Sequence, residues 1–263
     1  MFRLTREVRF ALGPEAPAAG ARPYNSYAGF PSVAGLSHFF TLQASLAGTL
    51  DARSGYLLNI KQIDAAVRKL AIPRVAEAIR TRSFHGGSML LRELYDLLSG
   101  VFKNPRLDGL TLGLTPFLSL SVLGRELPMV RLSQKFEFCA SHRLHNPELS
   151  DEQNRELFGK CNNPHGHGHN YEVQITLSGE ASERSPLCDL GAMERTVSRL
   201  VIDRFDHKNL NSECPEFAAT IPSVENIARV IFLLLKSELQ SPRAHLAAVT
   251  VWETAKTWCE YSE

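Results

Sequence analysis

Apolar and polar positions alternate with a period of two over residues 129–141 and 169–180, as in half-buried strands. Further along, the period lengthens. Leu190, Met193, Val197 and Leu200 share one helical face and predict a helix over 189–204. A second helix is predicted after Pro222, with Ser223 as N-cap and Ile227, Ile231 and Leu234 facing inward. Strands near 246–254 and 257–262 complete the unit. The first half repeats this order, with strands near 2–12 and 36–48, helices near 60–72 and 89–101, and strands near 108–114 and 116–123. Its helical face of Ile60, Ile63, Val67 and Leu70 recurs 130 positions later as Leu190, Met193, Val197 and Leu200.

Other segments echo in the same order. Phe2-Arg3-Leu4-Thr5 resembles Val130-Arg131-Leu132-Ser133, and Gly35 through Gly48 resembles Gly166 through Gly179. Shared order at a near-constant offset points to an internal duplication. The expected fold class is therefore α+β: two tandem units, each a four-stranded antiparallel sheet with two helices on one face. The units span residues 1–125 and 126–263, joined around Gly124-Arg125-Glu126.

Composition narrows the setting. Hydrophobic content of 44% and charge of 22% over 263 residues describe an ordinary globular chain. No apolar run suits a membrane span, and the N-terminus has no secretion-signal pattern. All five cysteines lie in the second half, and their odd number predicts reduced thiols in a cytoplasmic protein. Residues 1–125 carry 15 Lys and Arg against 8 Asp and Glu (+7), and residues 126–263 carry 14 against 20 (−6). This asymmetry is either drift between solvated surfaces or a basic half serving an acidic partner half or an anionic substrate. Neither half has a dense basic run interleaved with aromatics, which argues against nucleic acid as a partner.

The chemistry gathers in Cys161-Asn162-Asn163-Pro164-His165-Gly166-His167-Gly168-His169-Asn170-Tyr171. Residues two apart on a strand face one side, so either His165/His167 or His167/His169 can share a ligand. The second register is preferred because Tyr171, Val173, Ile175 and Leu177 continue that side into core. His142, ending the neighbouring strand, offers a third imidazole. Three imidazoles with one open position suit a catalytic zinc ion. Cys161 is a reactive thiol, a fourth ligand or a buried structural thiol; its loop position before the histidines favours reactivity. The Asp206-His207 pair can position a proton carrier. Glu253 interrupts an apolar strand, either at the rim or as an anchor for the N–H groups of a heterocycle, and Glu225 suits the first turn of a helix.

Together these segments resemble the 6-pyruvoyl-tetrahydropterin synthase family, whose members adopt the tunnelling fold. The match is carried by Phe138-Cys139-Ala140-Ser141-His142-Arg143-Leu144, Leu157 through Pro164, His167 through Tyr171, Asp206 through Asn211, Glu225-Asn226 and Val251-Trp252-Glu253-Thr254. The resemblance implies zinc on His142, His167 and His169, with Cys161 as general base. Asp206 and His207 would complete a proton-transfer triad, and Glu253 would hold a pterin ring with Glu225 nearby. The implied reaction converts 7,8-dihydroneopterin triphosphate to 6-pyruvoyl-tetrahydropterin with loss of triphosphate. The related 6-carboxytetrahydropterin synthases of the queuosine and 7-deazapurine route use the same substrate. They typically place their cysteine four residues before the first ligand of the His-Gly-His pair, whereas Cys161 lies six before His167. A non-catalytic pterin-binding or scaffolding member is the remaining alternative.

The first copy departs from the family pattern: Pro14, Leu36 and Phe30 stand at the first two histidines and the cysteine, and Leu114 at the glutamate. His38 survives among the ligands. One imidazole cannot make this site, so the first unit is expected to be inactive, with His38 and His85 structural. The resemblance also implies a homo-oligomeric ring with sites built across subunit boundaries.

Overall fold

A computed structural model describes residues 1–13, 25–81, 87–182 and 186–263. Pro14 and His85 lie outside these described residues. The chain divides into two compact units, Met1–Leu132 with Gly179–Leu187, and Ser133–Ser178 with Cys188–Glu263. The division falls inside a strand, because only the short 3-10 turn Gly124–Glu126 and two residues separate one strand from the next.

In the first unit, β1 (Phe2–Leu12) pairs antiparallel with β2 (His38–Gly48), β2 with β3 (Arg106–Gly113), and β3 with β4 (Leu118–Leu123). Its helices are α1 (Ile60–Ala66), α2 (Ile72–Thr81) and α3 (Ser88–Val101); a π-helical turn, Val67–Ala71, joins the first two. Alternate strand residues Val8, Phe10, Leu42, Ala44, Leu110, Leu112, Leu120 and Val122 are buried, together with Ile63, Val67, Leu91, Leu94 and Leu98 of the helices. Period-two burial on strands and helical burial above them make a two-layer core.

In the second unit the sheet order is β5 (Met129–His142), β6 (His167–Glu180), β8 (Ala244–Thr254) and β9 (Thr257–Tyr261). A two-residue strand, β7 (Lys208–Asn209), runs parallel to β5 at Ala140 and Ser141. The helices are α4 (Asp151–Phe158), α5 (Leu190–Val197), α6 (Asp203–Phe205), α7 (Leu210–Glu213) and α8 (Val224–Leu235), with a π-helical turn, Ser198–Ile202, between α5 and α6. Ser223 caps α8 by accepting the N–H of Asn226. An α+β arrangement with antiparallel sheet is thus present in each unit. No helix among the described residues is long and apolar enough to cross a membrane.

Three details differ from the sequence pattern. The long helices bury Ile63, Val67, Ala71 and Val75 in one unit and Met193, Val197, Val201 and Phe205 in the other. Ile60 is exposed, and Leu70, Leu190 and Leu200 are half-buried. The cause is the π turn: its wider winding keeps every fourth residue on one side, where an unbroken α-helix would alternate steps of three and four. In α8 the inward residue is Leu235, with Leu234 half-buried. Helix α4 was not predicted. Its first six residues are polar, its two apolar residues, Leu157 and Phe158, stand together at its end, and it buries only Asn154, so it has no periodic apolar face to read. Its signature is the capping box of Ser150 and Gln153.

Candidate active site

The start of β6 is seated against the end of β5 by a glycine. Gly166 has φ +72°, and a Cβ there would lie 2.9 Å from the His142 carbonyl oxygen. Only glycine tolerates both the left-handed backbone and the close approach. β6 then begins at His167, which puts His167 and His169 on the side that continues through buried Tyr171, Val173 and Ile175. His142 is fully buried. His142 Nε2 lies 3.1 Å from His167 Nε2, and the ring of His169 is 5.2 Å from that of His142 and 4.8 Å from that of His167. Glu253 joins them, its Oε1 lying 3.1 Å from His142 Nε2 and 3.1 Å from His169 Nε2. One ligand atom from each of the four residues falls within 4.8 Å of every other. His165 stays outside in an exposed turn, where its backbone N–H donates to Asn163 Oδ1.

The protonation pattern follows from one backbone oxygen. His142 Nδ1 lies 2.6 Å from the Pro222 carbonyl oxygen, an acceptor only, so Nδ1 carries the proton and donates it. In the neutral ring Nε2 therefore presents a lone pair. Burial holds the pKa of His142 below the usual imidazole value, outweighing the Pro222 hydrogen bond, and burial likewise lowers that of His169. The His142 lone pair and the Glu253 carboxylate oxygen thus converge with no proton from His142 to share between them. His167 Nδ1 and His169 Nε2 are buried without hydrogen-bond partners. A buried nitrogen left unpaired is costly, and a cation at the cluster would satisfy His169 Nε2. The set of three imidazole nitrogens and one carboxylate oxygen, with one imidazole oriented by a carbonyl, fits a zinc ion. Beneath it Tyr171 stacks on Phe138 at 5.0 Å, and burial pushes its phenol well above the ordinary range.

Of the three proposed proton carriers, Asp206 and His207 touch each other and Cys161 sits in a different segment. Cys161 is half-buried in the 3-10 turn Gly159–Asn162, fixed by its carbonyl accepting the N–H of Leu144 at 2.9 Å. Asp206 accepts the N–H of Cys139 at 2.8 Å on Oδ1, and its Oδ2 takes His207 Nδ1 at 2.8 Å. Those two bonds, that from Cys139 first, hold the Asp206 carboxyl below its usual pKa. His207 is 80% exposed, and at φ +57° it is the one non-glycine residue with positive φ among the described residues. Its N–H donates to the Cys139 carbonyl at 2.6 Å, which fixes this sparsely populated conformation. His207 and His169 share a shallow cleft of about 370 Å³ with Cys139, Ser141 and Lys208; Cys161 is not part of its wall. Among the described residues no hydrogen bond joins Cys161 to Asp206 or His207. Glu225 sits exposed in the first turn of α8, where its charge adds to burial in raising the Cys259 thiol.

Two features lay beyond the sequence reading. The Pro222 carbonyl sets the tautomer, but a main-chain acceptor has no residue signature. The place of Glu253 against the histidines depends on strand register, which residue spacing does not give. In the first unit Leu36 is 95% exposed, and His38 opens β2 beside Phe40. The Phe30 carbonyl accepts from Arg68, whose guanidinium also covers the Phe30 ring. The histidine and glutamate cluster of the second unit is the one metal-competent group among the described residues.

A family model described as 6-pyruvoyl tetrahydropterin synthase matches residues 131–263. A 6-pyruvoyl tetrahydrobiopterin synthase of Drosophila melanogaster is 39% identical over 135 residues, 51% of this chain and 80% of the relative. The solved 6-pyruvoyl tetrahydropterin synthase of Caenorhabditis elegans is 38% identical, covering 52% of this chain and 96% of its own, with a TM-score of 0.49. A 6-carboxy-5,6,7,8-tetrahydropterin synthase of Haemophilus influenzae is 26% identical over 156 residues, 51% of this chain and all of the relative.

Proposed function

Because the chain belongs to the 6-pyruvoyl tetrahydropterin synthase family, a family of lyases, we propose that its second half converts 7,8-dihydroneopterin triphosphate to 6-pyruvoyl-tetrahydropterin. The observation that carries this reading is the convergence of His142, His167 and His169 on one point, with His142 locked in the tautomer that faces it. These three residues would hold zinc. When bound, the ion polarises the hydroxyls of the substrate side chain and so acidifies the neighbouring C–H bonds. Cys161 takes a proton released from a side-chain carbon, and the electron pair left behind drives out the triphosphate. An internal rearrangement oxidises the carbinol carbon next to the ring to a ketone while reducing the C6=N5 bond of the ring, so that no external redox partner is consumed. The Asp206–His207 pair relays protons at the same site, supplied by a neighbouring copy in a ring. This is supported by the absence, among the described residues, of any hydrogen bond between the pair and Cys161, and by a cleft beside His207 whose wall does not include Cys161. Glu253 accepts from the N–H groups of the pterin ring, with Glu225 nearby. No nucleic acid or membrane takes part.

The chain is read as a duplication whose first unit has lost its chemistry. A π turn stands at Val67–Ala71 and again at Ser198–Ile202, and the stack of Phe10 on Phe40 at 5.5 Å mirrors that of Phe138 on Tyr171. These recurrences at a near-constant offset support that reading. Formation of 6-carboxytetrahydropterin is the second reading, supported by the Haemophilus influenzae relative. The six-residue step from Cys161 to His167 favours the first.

Metal content, triphosphate release and product mass test the proposal together. Cys161→Ala is expected to keep its zinc and lose about 10²–10⁴-fold in turnover, the usual worth of a positioned proton acceptor. His167→Ala is expected to lose both zinc and activity. Full turnover by Cys161→Ala would remove the thiol from the reaction. A wild-type protein with neither zinc nor turnover would instead be a pterin-binding or scaffolding module.

A further inference from the structure

We propose that the first unit carries a binding site for a linear polyphosphate, in the cleft where β1 meets α1 and the π turn that follows it. The cleft, of about 650 Å³, is walled by Arg6, Asn25, Lys61, Asp64, Arg68 and Lys69, four cationic residues against one acid. That acid is already engaged. Asp64 takes Arg6 in a two-pronged pair, Nε to Oδ1 at 2.8 Å and Nη2 to Oδ2 at 2.9 Å. Among the described residues, no carboxylate lies within ion-pair distance of Lys61, Arg68 or Lys69. Arg68 is the most telling of the three. Its Nη1 donates to the Phe30 carbonyl, and its guanidinium lies over the Phe30 ring, 5.4 Å from the centroid. Its Nη2 is closed off from solvent and has no hydrogen-bond partner. Burial lowers the pKa of this guanidinium and the charge of Arg6 adds to the effect, with Asp64 compensating only in part. A half-buried guanidinium with an unmet donor and no counter-ion is costly by itself, and an oxyanion bonded to it removes that cost.

The second unit shows the same place without the surplus charge. There Gln134 and Glu194 make the corresponding strand-to-helix bond, Gln134 Nε2 donating to Glu194 Oε1 at 2.7 Å. The positions 130 residues beyond Lys61 and Arg68 hold Gly191 and Ser198. Arg199, the counterpart of Lys69, pairs with Glu238 at 2.9 Å. Uncompensated cations thus mark the first unit, and a merely solvated helix face has no reason to draw one of them half out of water. Their spacing argues for a chain of phosphates over a single one. At 1.5 Å per residue, the helix rises roughly 10 Å from Lys61 to Arg68, so the cations are strung along the cleft rather than gathered at one point. Three free charges in a row match a tri- or polyphosphate, held by Arg in forked contacts and by Lys as point charges. A second cleft, of about 620 Å³, shares Ile60 and Lys61 with the first and is lined by Phe2, Leu4, Tyr56 and Leu58. It offers an apolar berth for an organic group at the end of the chain. The ligand is therefore inorganic polyphosphate or an organic triphosphate, and the site is independent of the reaction proposed for the second half.

The test is titration calorimetry on the full chain, with inorganic tripolyphosphate in one arm and ATP in the other. Saturable binding by the wild-type protein is expected. Arg68→Met, which keeps an apolar stem against Phe30, is expected to weaken it about 10–100-fold, the worth of a hydrogen bond to a charged group. The double variant Lys61→Ala, Lys69→Ala changes only exposed positions, so its fold is not at risk, and a loss of at least about 10-fold is expected. His167→Ala is expected to bind as the wild type does, which separates this cleft from any triphosphate held at the histidine cluster. Tighter binding of ATP than of tripolyphosphate would place an organic group in the second cleft, and equal binding would leave the phosphate chain as the whole ligand. Absence of saturable binding in both arms would overturn the site. So would full affinity in both the Arg68 and the double lysine variants, or its loss in folded His167→Ala. Binding of heparin or duplex DNA without tripolyphosphate would make this face a docking surface for a larger polyanion and overturn the small-ligand site.

Discussion

Asp206 is held on both oxygens at once, by the Cys139 N–H on one and by His207 on the other. The first bond ties the end of α6 to β5, and the second fixes the ring of an exposed histidine whose backbone is in the left-handed region. Both partners favour the charged form, which is why its pKa is depressed. The sign for stability follows. An unfolded aspartate titrates near ~3.9, so the unfolded chain takes up the proton first as pH falls. The stabilisation is complete above that value and is lost as pH falls through the lower folded value. Asp206→Asn can still accept from Cys139 but carries no charge. Urea unfolding at pH 7, 5 and 3 is therefore expected to show a wild-type advantage at the upper two values that shrinks at the lowest. A difference constant across all three would mean that the charge of Asp206 contributes nothing.

At the scale of elements, the π turns decide which side chains are core. An unbroken α-helix through Met193 and Val197 would next bury Leu200, whereas the observed winding buries Val201 and Phe205 and leaves Leu200 half-exposed. Phe205 packs on Phe138 at 6.0 Å and on Phe217 at 5.7 Å. Phe205→Ala should therefore cost about 3–5 kcal/mol in denaturant unfolding, and Leu200→Ala less than about 2 kcal/mol, since half its side chain already meets water. The reverse order would mean that the helix continues without the turn. Most strands and the four long helical segments were legible because period two and period 3.6 are carried by the apolar residues themselves. The π turns were not, because one extra residue per turn leaves no compositional mark. Helix α4 was missed because its stability rests on caps and polar contacts rather than an apolar stripe. The histidine pair was legible because Tyr171, Val173 and Ile175 reveal which side of β6 faces the core. The contact of Glu253 with those histidines was not, because it follows from strand order and an irregular register.

At the scale of the whole molecule, one chain holds every residue type the proposed reaction needs, yet not all of them meet. The histidines and Glu253 converge and His207 shares a cleft with His169, while Cys161, in its own 3-10 turn, is not part of that wall. If Cys161 of one copy works with Asp206–His207 of the next, the contact is head-to-tail, the kind that closes into rings. Complementation between two inactive variants follows. Cys161→Ala and His207→Ala, each alone, are expected to be strongly impaired. Coexpressed and mixed at random, they should rebuild intact sites wherever a chain with Cys161 precedes one with His207. At equal proportions that is about a quarter of all sites for a head-to-tail ring. The measurement is triphosphate release from mixed oligomers carrying two different affinity tags, so that only assemblies containing both variants are assayed. Recovery near that fraction supports a shared site. Mixed oligomers as inactive as either parent would instead place the Asp206–His207 pair in the service of its own chain, and the separation of its cleft from Cys161 would then require a rearrangement within one subunit.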